Sequence, residues 1–396
     1  MKSEFDIIIV GAGLAGLTTA LACAQSGASV AIVDRQDIGA GQDPRVSALA
    51  TTSLNLFANL GIDIAAQLQP IHDMLVTEGT PHSPWRLHFA GAEASSGSLG
   101  AIIENQQLKA ALMTNLSSAD NIVVFGATNI DEFKNQADCV TLALEDRSLS
   151  ASLLVAADGR ESVIRRKSGI TVQRFDYDAA SLVTLISHAM PHEGLAWQRI
   201  IKGGALAALP LTGNRSQIVW SGPSKAIAAA QSLSDAGFLA LLSEKMDGYL
   251  GEMTLLAPRQ SYPLRLQIAD RFSSGRVALV GDAAHVIHPL AGQGLNLGLR
   301  DAAALAEGIK TARATGQDLG VASLLDYETW RNVDTRALGA LTHMVSEASG
   351  SKIGAIGHLR RLGMAATNRS ALLKNMLGKR AAGESETLPE LMQNCL

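Results

Sequence analysis

The chain changes hydrophobic period several times, and those changes mark out its elements. Phe5 to Val10 is an apolar run that reads as a strand buried on both faces. A glycine-rich turn follows, Gly11-Ala12-Gly13-Leu14-Ala15-Gly16, and Leu17 to Ser26 takes up helical spacing until Gly27. Ala28 to Val33 is a second strand, closed by Asp34 and Arg35. Further along, the pattern predicts a helix from Arg45 to Leu60, a strand over Trp85 to Phe89 and a helix over Leu108 to Leu116. Strands are expected over Asn121 to Phe125, Cys139 to Leu144 and Ser152 to Ala156. From Ala180 to Gly222 the runs shorten to Leu182–Ser187, Ala205–Leu211 and Gln217–Ser221, broken by Pro, Gly and Asn, as in an antiparallel sheet. Leu233 to Leu250 looks helical. Val277 to Val280 is one more buried strand, and from Leu295 apolar residues again fall at helical period.

Two strand ends carry chemistry. After the first, Gly11 permits a tight turn, Gly13 lets backbone amides approach a pyrophosphate, and Gly16 lets helix and strand pack closely. Asp34 follows at about the 20-residue distance expected of a carboxylate that grips a ribose hydroxyl. Strand, turn, helix, second strand and acid together form a dinucleotide fingerprint, although it does not choose between NAD and FAD. After Val280 come Gly281-Asp282, then Pro289, Gly292, Gln293, Gly294 and a helix start with free amides. That order offers a carboxylate to a ribitol or ribose hydroxyl and a partly positive helix end to an electron-rich group. A second clamp of this kind suits the ribityl arm of a flavin.

Composition narrows the class. The chain has 396 residues, enough for two or three domains with an ample core. A net charge of −4 argues against nucleic acid, which calls for a basic surface. With 47% hydrophobic residues the chain is apolar-rich, yet no run reaches the roughly 18 apolar residues of a membrane span. Cys23, Cys139 and Cys395 are scattered, which suggests neither disulfide framework nor zinc site and fits a reducing cytoplasm. Lys2 before an apolar run imitates a secretion signal, but the glycine spacing reads better as an uncleaved first strand and helix. His285 and His288 stand three apart with no third ligand nearby, so no metal site is expected.

The stretch His288-Pro289-Leu290-Ala291-Gly292-Gln293-Gly294-Leu295-Asn296-Leu297-Gly298-Leu299-Arg300-Asp301, following Gly281-Asp282, resembles the signature of the ubiquinone-biosynthesis hydroxylases. These are single-component, FAD-dependent aromatic monooxygenases of the para-hydroxybenzoate hydroxylase type. The resemblance implies an α/β fold: a Rossmann-like FAD-binding domain (1–75, 98–178 and 265–335), an inserted antiparallel-sheet substrate domain (76–97 and 179–264) and a C-terminal helical region (336–396). It also implies FAD as cofactor, NAD(P)H as co-substrate, and ring hydroxylation of a polyprenylated phenol with O2 through a peroxide on the flavin C4a atom. Carried over residue by residue, the cofactor set is Gly11, Gly13, Leu14, Ala15, Gly16, Asp34, Arg35, Arg45, Asn105, Asp158, Gly159, Gly281, Asp282, Pro289, Gly292, Gly294, Leu295 and Asn296. Pro289, Gly292, Gln293 and Gly294 are expected to line the flavin. No triad is visible; His288 reads as fixing the turn before Pro289, and His285 and His288 are both left as candidate bases.

Asp34 stands where relatives more often carry Glu, and Asn105 where other branches use Arg. A prenylated substrate is collected at a bilayer, so a peripheral contact with the inner membrane is expected, with Arg360, Arg361, Lys374, Lys379 and Arg380 as a basic surface. Other ubiquinone-biosynthesis proteins are candidate partners. Two alternatives stay open: a hydroxylase of a small soluble phenol, and a non-catalytic subunit that holds FAD within an assembly. The halogenase motif Trp-x-Trp-x-Ile-Pro is missing at Ala196-Trp197-Gln198-Arg199-Ile200, and so is the prenyl reductases' Tyr-x-Trp-x-Phe-Pro.

Overall fold

The computed structural model describes residues 3–39, 43–79, 85–93, 97–287 and 293–350, and beyond these 361, 363–364, 366–368, 370, 373, 378, 383 and 387–394; the side chains of 341 and 345–350 are left out. Its helices are α1 (Leu14–Gln25), α2 (Thr51–Asn59), α3 (Asn105–Ser117), α4 (Val163–Lys167), α5 (Ser224–Ser232), α6 (Asp235–Lys245), α7 (Gln293–Ala314) and α8 (Leu319–Gly350).

The first sheet explains the uninterrupted apolar run near the N-terminus. Glu4–Val10 lies mid-sheet, and Ile7, Ile8 and Ile9 have no exposed surface, because both faces of the sheet are covered. It pairs in parallel with Arg147–Ala156 on one side and Val30–Val33 on the other. Val277–Leu279 adds in parallel beyond Arg147–Ala156, and Ile122–Phe125 beyond Val30–Val33. The registers Val10↔Ala156, Val10↔Val33 and Ala156↔Leu279 place the C-terminal strand ends in one row. Gly11, Asp34, Ala157 and Val280 therefore all leave the sheet along one edge. That is where open parallel sheets bind ligands.

The second sheet has nine strands and is antiparallel apart from the parallel pair Leu195–Ile201 with Asp73–Glu78. One face carries Leu182, Ile186, Leu206, Ile218 and Trp220, which pack with Phe238 and Leu242 of α6 into a separate core. The opposite face meets a small three-stranded sheet, where Leu211 and Ala196 pack with Ile71 and Ile102. The fold is thus α/β, with a Rossmann-like sheet, a largely antiparallel second sheet and C-terminal helices. Val172–His188 is far longer than the run Leu182–Ser187 read from the sequence, and it and Gln260–Ala269 pass through the expected boundaries at 178/179 and 264/265. Helix α8 likewise crosses 335/336.

Two expected elements are corrected. The helix from Arg45 to Leu60 is a strand, Val46–Leu49, followed by α2; Val46–Leu49 pairs antiparallel with Ala101–Glu104, and tertiary pairing outweighs local spacing. The helix expected over Leu233–Leu250 is present but shorter: α6 runs Asp235–Lys245, starting where Ser234 caps it by accepting from the Gly237 N–H at 3.1 Å and ending at Met246. Helices α1 and α7 begin at Leu14 and Gln293, each earlier than the apolar spacing showed.

Candidate active site

The fingerprint turn is built by close backbone approach. Gly11 adopts φ +109°, and a Cβ there would stand 2.3 Å from the Ala157 carbonyl oxygen. A Cβ on Gly16 would stand 2.0 Å from the Gly11 carbonyl oxygen. Gly13 differs: it caps α1 with ordinary extended backbone and no side-chain bond, and no protein atom lies within 4 Å of a Cβ built on it. The start of α1 thus opens onto free space at Gly13, with the positive end of the helix dipole behind it. Asp34 closes the turn, its Oδ2 accepting from the Ala12 N–H at 2.6 Å and its Oδ1 from the Gln36 N–H at 2.8 Å. A carboxylate has about four acceptor sites, so ribose hydroxyls still find lone pairs there. Arg35 is exposed beside it.

The second clamp touches the first. A Cβ on Gly281 would lie 3.1 Å from Ala15 Cβ, and one on Gly298 would lie 3.1 Å from Gly281 Cα and 3.4 Å from Ala15 Cβ. Three small residues therefore let the start of α1, the turn Gly281–Ala283 and α7 meet at one point. Asp282 is exposed in that turn. Arg165, almost fully buried, donates through Nη1 to the Ala283 carbonyl at 2.7 Å and through Nη2 to the Arg160 carbonyl at 2.9 Å. Burial pushes the Arg165 pKa down, against the opposing pull of Asp158 and Glu161. Asp158 follows Ala157 in the strand-end row and caps α4, its Oδ2 accepting from the Val163 N–H at 2.7 Å. Its Oδ1 is buried without a partner. Gly159 turns the chain at φ +83°.

On the far side, Val46↔Glu104 pairing sets Arg45 beside Asn105. Asp43 joins them: it accepts from Arg45 Nε and Nη2, each at 2.7 Å, and from Asn105 Nδ2 at 2.9 Å. Burial raises the Asp43 carboxyl, but the bonds from Arg45 and Asn105 outweigh it and hold it below the usual range. The hydrogen bond to Asp43 in turn raises Arg45, with smaller contributions from Tyr262 and Asp282. Arg45 thus reaches the place where the second sheet and the Gly281 turn come together.

Asn296 does something the sequence did not show. Its Oδ1 accepts from the Ala50 N–H at 2.9 Å and Ser53 Oγ at 2.8 Å, and its Nδ2 donates to the Ala48 carbonyl at 2.8 Å. The side chain bolts α7 to the start of α2, which leaves the backbone for anything bound in front of the helix. Gln293, Gly294 and Leu295 form the first turn of α7, and among the described residues nothing beyond the helix's own backbone lies within 4 Å of a Cβ built on Gly294. Pro289, Gly292 and His288 lie outside the described residues, as do Arg360, Lys374, Lys379 and Arg380. Arg361 donates to Glu78 Oε1 at 2.9 Å. Asp43, Asp301 and Arg331 were not singled out as functional; Asp301 sits inside the signature, whereas nothing in the pattern marks Arg331.

The start of α1 opens onto free space at Gly13 beside Asp34, the Gly281–Asp282 turn stands against it, and a flavin dinucleotide fits this donor set. The sequence matches the FAD binding domain family over residues 4–335, and the chain belongs to that family of FAD-dependent monooxygenases, on the branch of the ubiquinone hydroxylases. It is 36% identical to the ubiquinone hydroxylase UbiL of Rhodospirillum rubrum over 97% of this chain and 91% of that one. It is 29% identical to the 3-demethoxyubiquinol 3-hydroxylase of Escherichia coli, over 96% and 98% of the two chains. Among solved structures, p-nitrophenol 4-monooxygenase PnpA from Pseudomonas putida superposes with a TM-score of 0.81 at 18% identity, covering 98% of this chain and all of that one, which speaks for the fold.

Proposed function

We propose that this chain hydroxylates the aromatic ring of a polyprenylated phenol in ubiquinone biosynthesis, using FAD, O2 and NAD(P)H. The meeting of the start of α1, the Gly281–Ala283 turn and Gly298 of α7 at one point carries the reading, because it brings both glycine motifs against the same cofactor. In this reading the amides of Leu14 to Gly16 hold the pyrophosphate and Asp34 the adenosine ribose. Gly281 and Asp282 take the ribityl arm, and the amides of Gly294 and Leu295 face the ring edge that gains negative charge on reduction. When bound, FAD supplies electron transfer from the nicotinamide and activation of oxygen. The protein orients the phenol, excludes water and fixes the charges around the ring.

The second sheet supports an apolar substrate. Val183 opposes Val219, Val219 opposes Ala207, and Tyr262 opposes Ser181, so these residues share the face away from α6. Val183, Val219, Ala207 and Tyr262 are half-buried there, unlike the sealed opposite face. Each buried methylene of a prenyl tail contributes about 0.8 kcal/mol. No helix among the described residues is long and apolar enough to cross a membrane, so the tail is met at a peripheral contact in this reading. The decisive experiment supplies FAD and NADPH to the purified chain with a prenylphenol and follows NADPH oxidation together with product mass. The expected result is a gain of one oxygen per NADPH; oxidation with no oxygenated product, or a polypeptide that stays colourless in excess FAD, overturns the proposal.

A further inference from the structure

A buried carboxylate with no part in the reading above stands behind the second clamp. Asp301, on α7, has no exposed surface. Its Oδ2 accepts from the Gly281 N–H at 2.9 Å and from His285 Nε2 at 2.6 Å, and its Oδ1 accepts from Arg331 Nε at 2.7 Å. Arg331, equally buried in α8, also donates through Nη1 to Asp334 at 2.6 Å, and Asp334 takes Arg300 Nη1 at 2.6 Å. One turn earlier in α8, the Tyr327 hydroxyl donates to the Leu279 carbonyl at 2.5 Å, two residues before Gly281. So the turn that presents Asp282 is tied to α7 and α8 by buried polar contacts.

Stability alone does not account for such a cluster. Well-packed apolar residues of similar volume commonly stabilise a core as well as a buried ion pair does, or better. What the cluster adds is direction, because each donor reaches Asp301 along a fixed line. His285 has a further consequence: it pairs with Ile268 at the edge of the second sheet and bonds Asp301 in the same position. The Gly281 amide and the sheet edge are thus referred to one carboxylate.

We propose that Asp301 is a positioning residue for the cofactor clamp, with His285 and Arg331 holding it: the three preset the Gly281–Asp282 turn for the ribityl arm before FAD arrives. The proposal rests on the FAD reading above. It separates positioning from plain packing through paired variants of His285. His285→Gln keeps a side-chain N–H that reaches towards Asp301, whereas His285→Leu fills comparable space with no donor.

The test titrates FAD into cofactor-stripped full-length protein by flavin fluorescence, records the bound flavin's visible spectrum, and measures urea unfolding without FAD. His285→Leu and Asp301→Asn are expected to bind FAD about tenfold more weakly than wild type, with an altered visible band, the scale of one charge-assisted hydrogen bond. His285→Gln should stay within about threefold of wild type on the same scale. Equal FAD binding by His285→Leu and His285→Gln, whatever their urea midpoints, overturns the proposal. Should Asp301→Asn not fold, the His285 pair still decides. A wild-type chain that takes up no FAD instead strikes the cofactor reading itself.

Discussion

Gly13 and Gly16 lie three residues apart in one turn, yet adding a methyl group to each should have opposite effects. At Gly16 the new Cβ would stand 2.0 Å from the Gly11 carbonyl oxygen and 3.2 Å from Ala157 Cβ. The first of those neighbours is backbone held by the strand beside it, so Gly16→Ala must move α1 off the sheet. Overpacking of this kind costs about 1–3 kcal/mol, occasionally more. At Gly13 the backbone is φ −73°, ψ 175°, which alanine adopts freely, and no protein atom meets the methyl group. Losing a glycine N-cap costs roughly half a kcal/mol, and the stiffer unfolded chain returns about as much. Gly13→Ala should therefore leave the apo protein as stable as wild type. Its methyl group, however, fills the space a pyrophosphate needs in front of α1. One lost charge-assisted hydrogen bond, about 1.5–3 kcal/mol, weakens FAD roughly 10- to 150-fold. Urea unfolding of the apo chains and FAD titration by fluorescence give both numbers. A Gly13→Ala protein that binds FAD like wild type, or a Gly16→Ala protein unchanged in both measurements, refutes the reasoning.

Gly294→Val places a branched side chain where, among the described residues, nothing beyond the helix's own backbone lies within 4 Å, so the fold should survive while the purified protein loses its yellow colour; a fully yellow variant counts against the site. Asn296→Ala strips partners from the Ala50 amide and Ala48 carbonyl, and should lower stability by about 1–3 kcal/mol in chemical unfolding, with FAD affinity of the folded protein less affected. Asp301 predicts the acid limb of the stability curve. Burial raises its pKa, but His285 and Arg331 pull harder and bring it from 3.8 to about 2. A depressed folded pKa stabilises above the unfolded value, and that contribution is lost as pH falls from about 4 to 2. It amounts to roughly 2 kcal/mol, so apo stability of the Asp301→Asn chain should fall less steeply over that window; identical slopes would remove Asp301 from the account.

The parts of this fold that the sequence announced are those whose physics is local. The turn Gly11 to Gly16 is legible because Gly11 and Gly16 each answer a close approach to backbone, at Ala157 and at Gly11 itself, while Gly13 leaves the helix start open. The apolar runs Phe5–Val10 and Val277–Val280 are legible because strands covered on both faces need no alternation. Val46–Leu49 was misread because its partner, Ala101–Glu104, lies far away in the chain and no local pattern names it. The length of Val172–His188 is hidden for a related reason: its early part, Gln173 to Asp176, is polar apart from Phe175 and pairs with Ile268 to Arg265 through backbone groups. In the site, Asp34 and Gly281 were readable as strand-end residues, whereas Asp43 takes its meaning from Arg45 and Asn105 meeting across the small sheet. Arg331 was invisible, since a buried cation on a long helix looks like any arginine until its carboxylate is located.

The Gly281–Ala283 turn and the second sheet are joined through His285. His285 and Val286 form a short edge strand of the second sheet, pairing with Ile268 and Gln267. They follow directly on the Gly281–Ala283 turn, whose Ala283 carbonyl is held by Arg165. A shift of the strand Gln260–Ala269, which also carries Tyr262, would pull on His285 and through it on Asp301. On this argument a substrate phenol and FAD should each strengthen the other's binding by the same factor, as linkage requires. FAD titrations with and without a prenylphenol measure that factor, and a value of one would show that His285 transmits nothing.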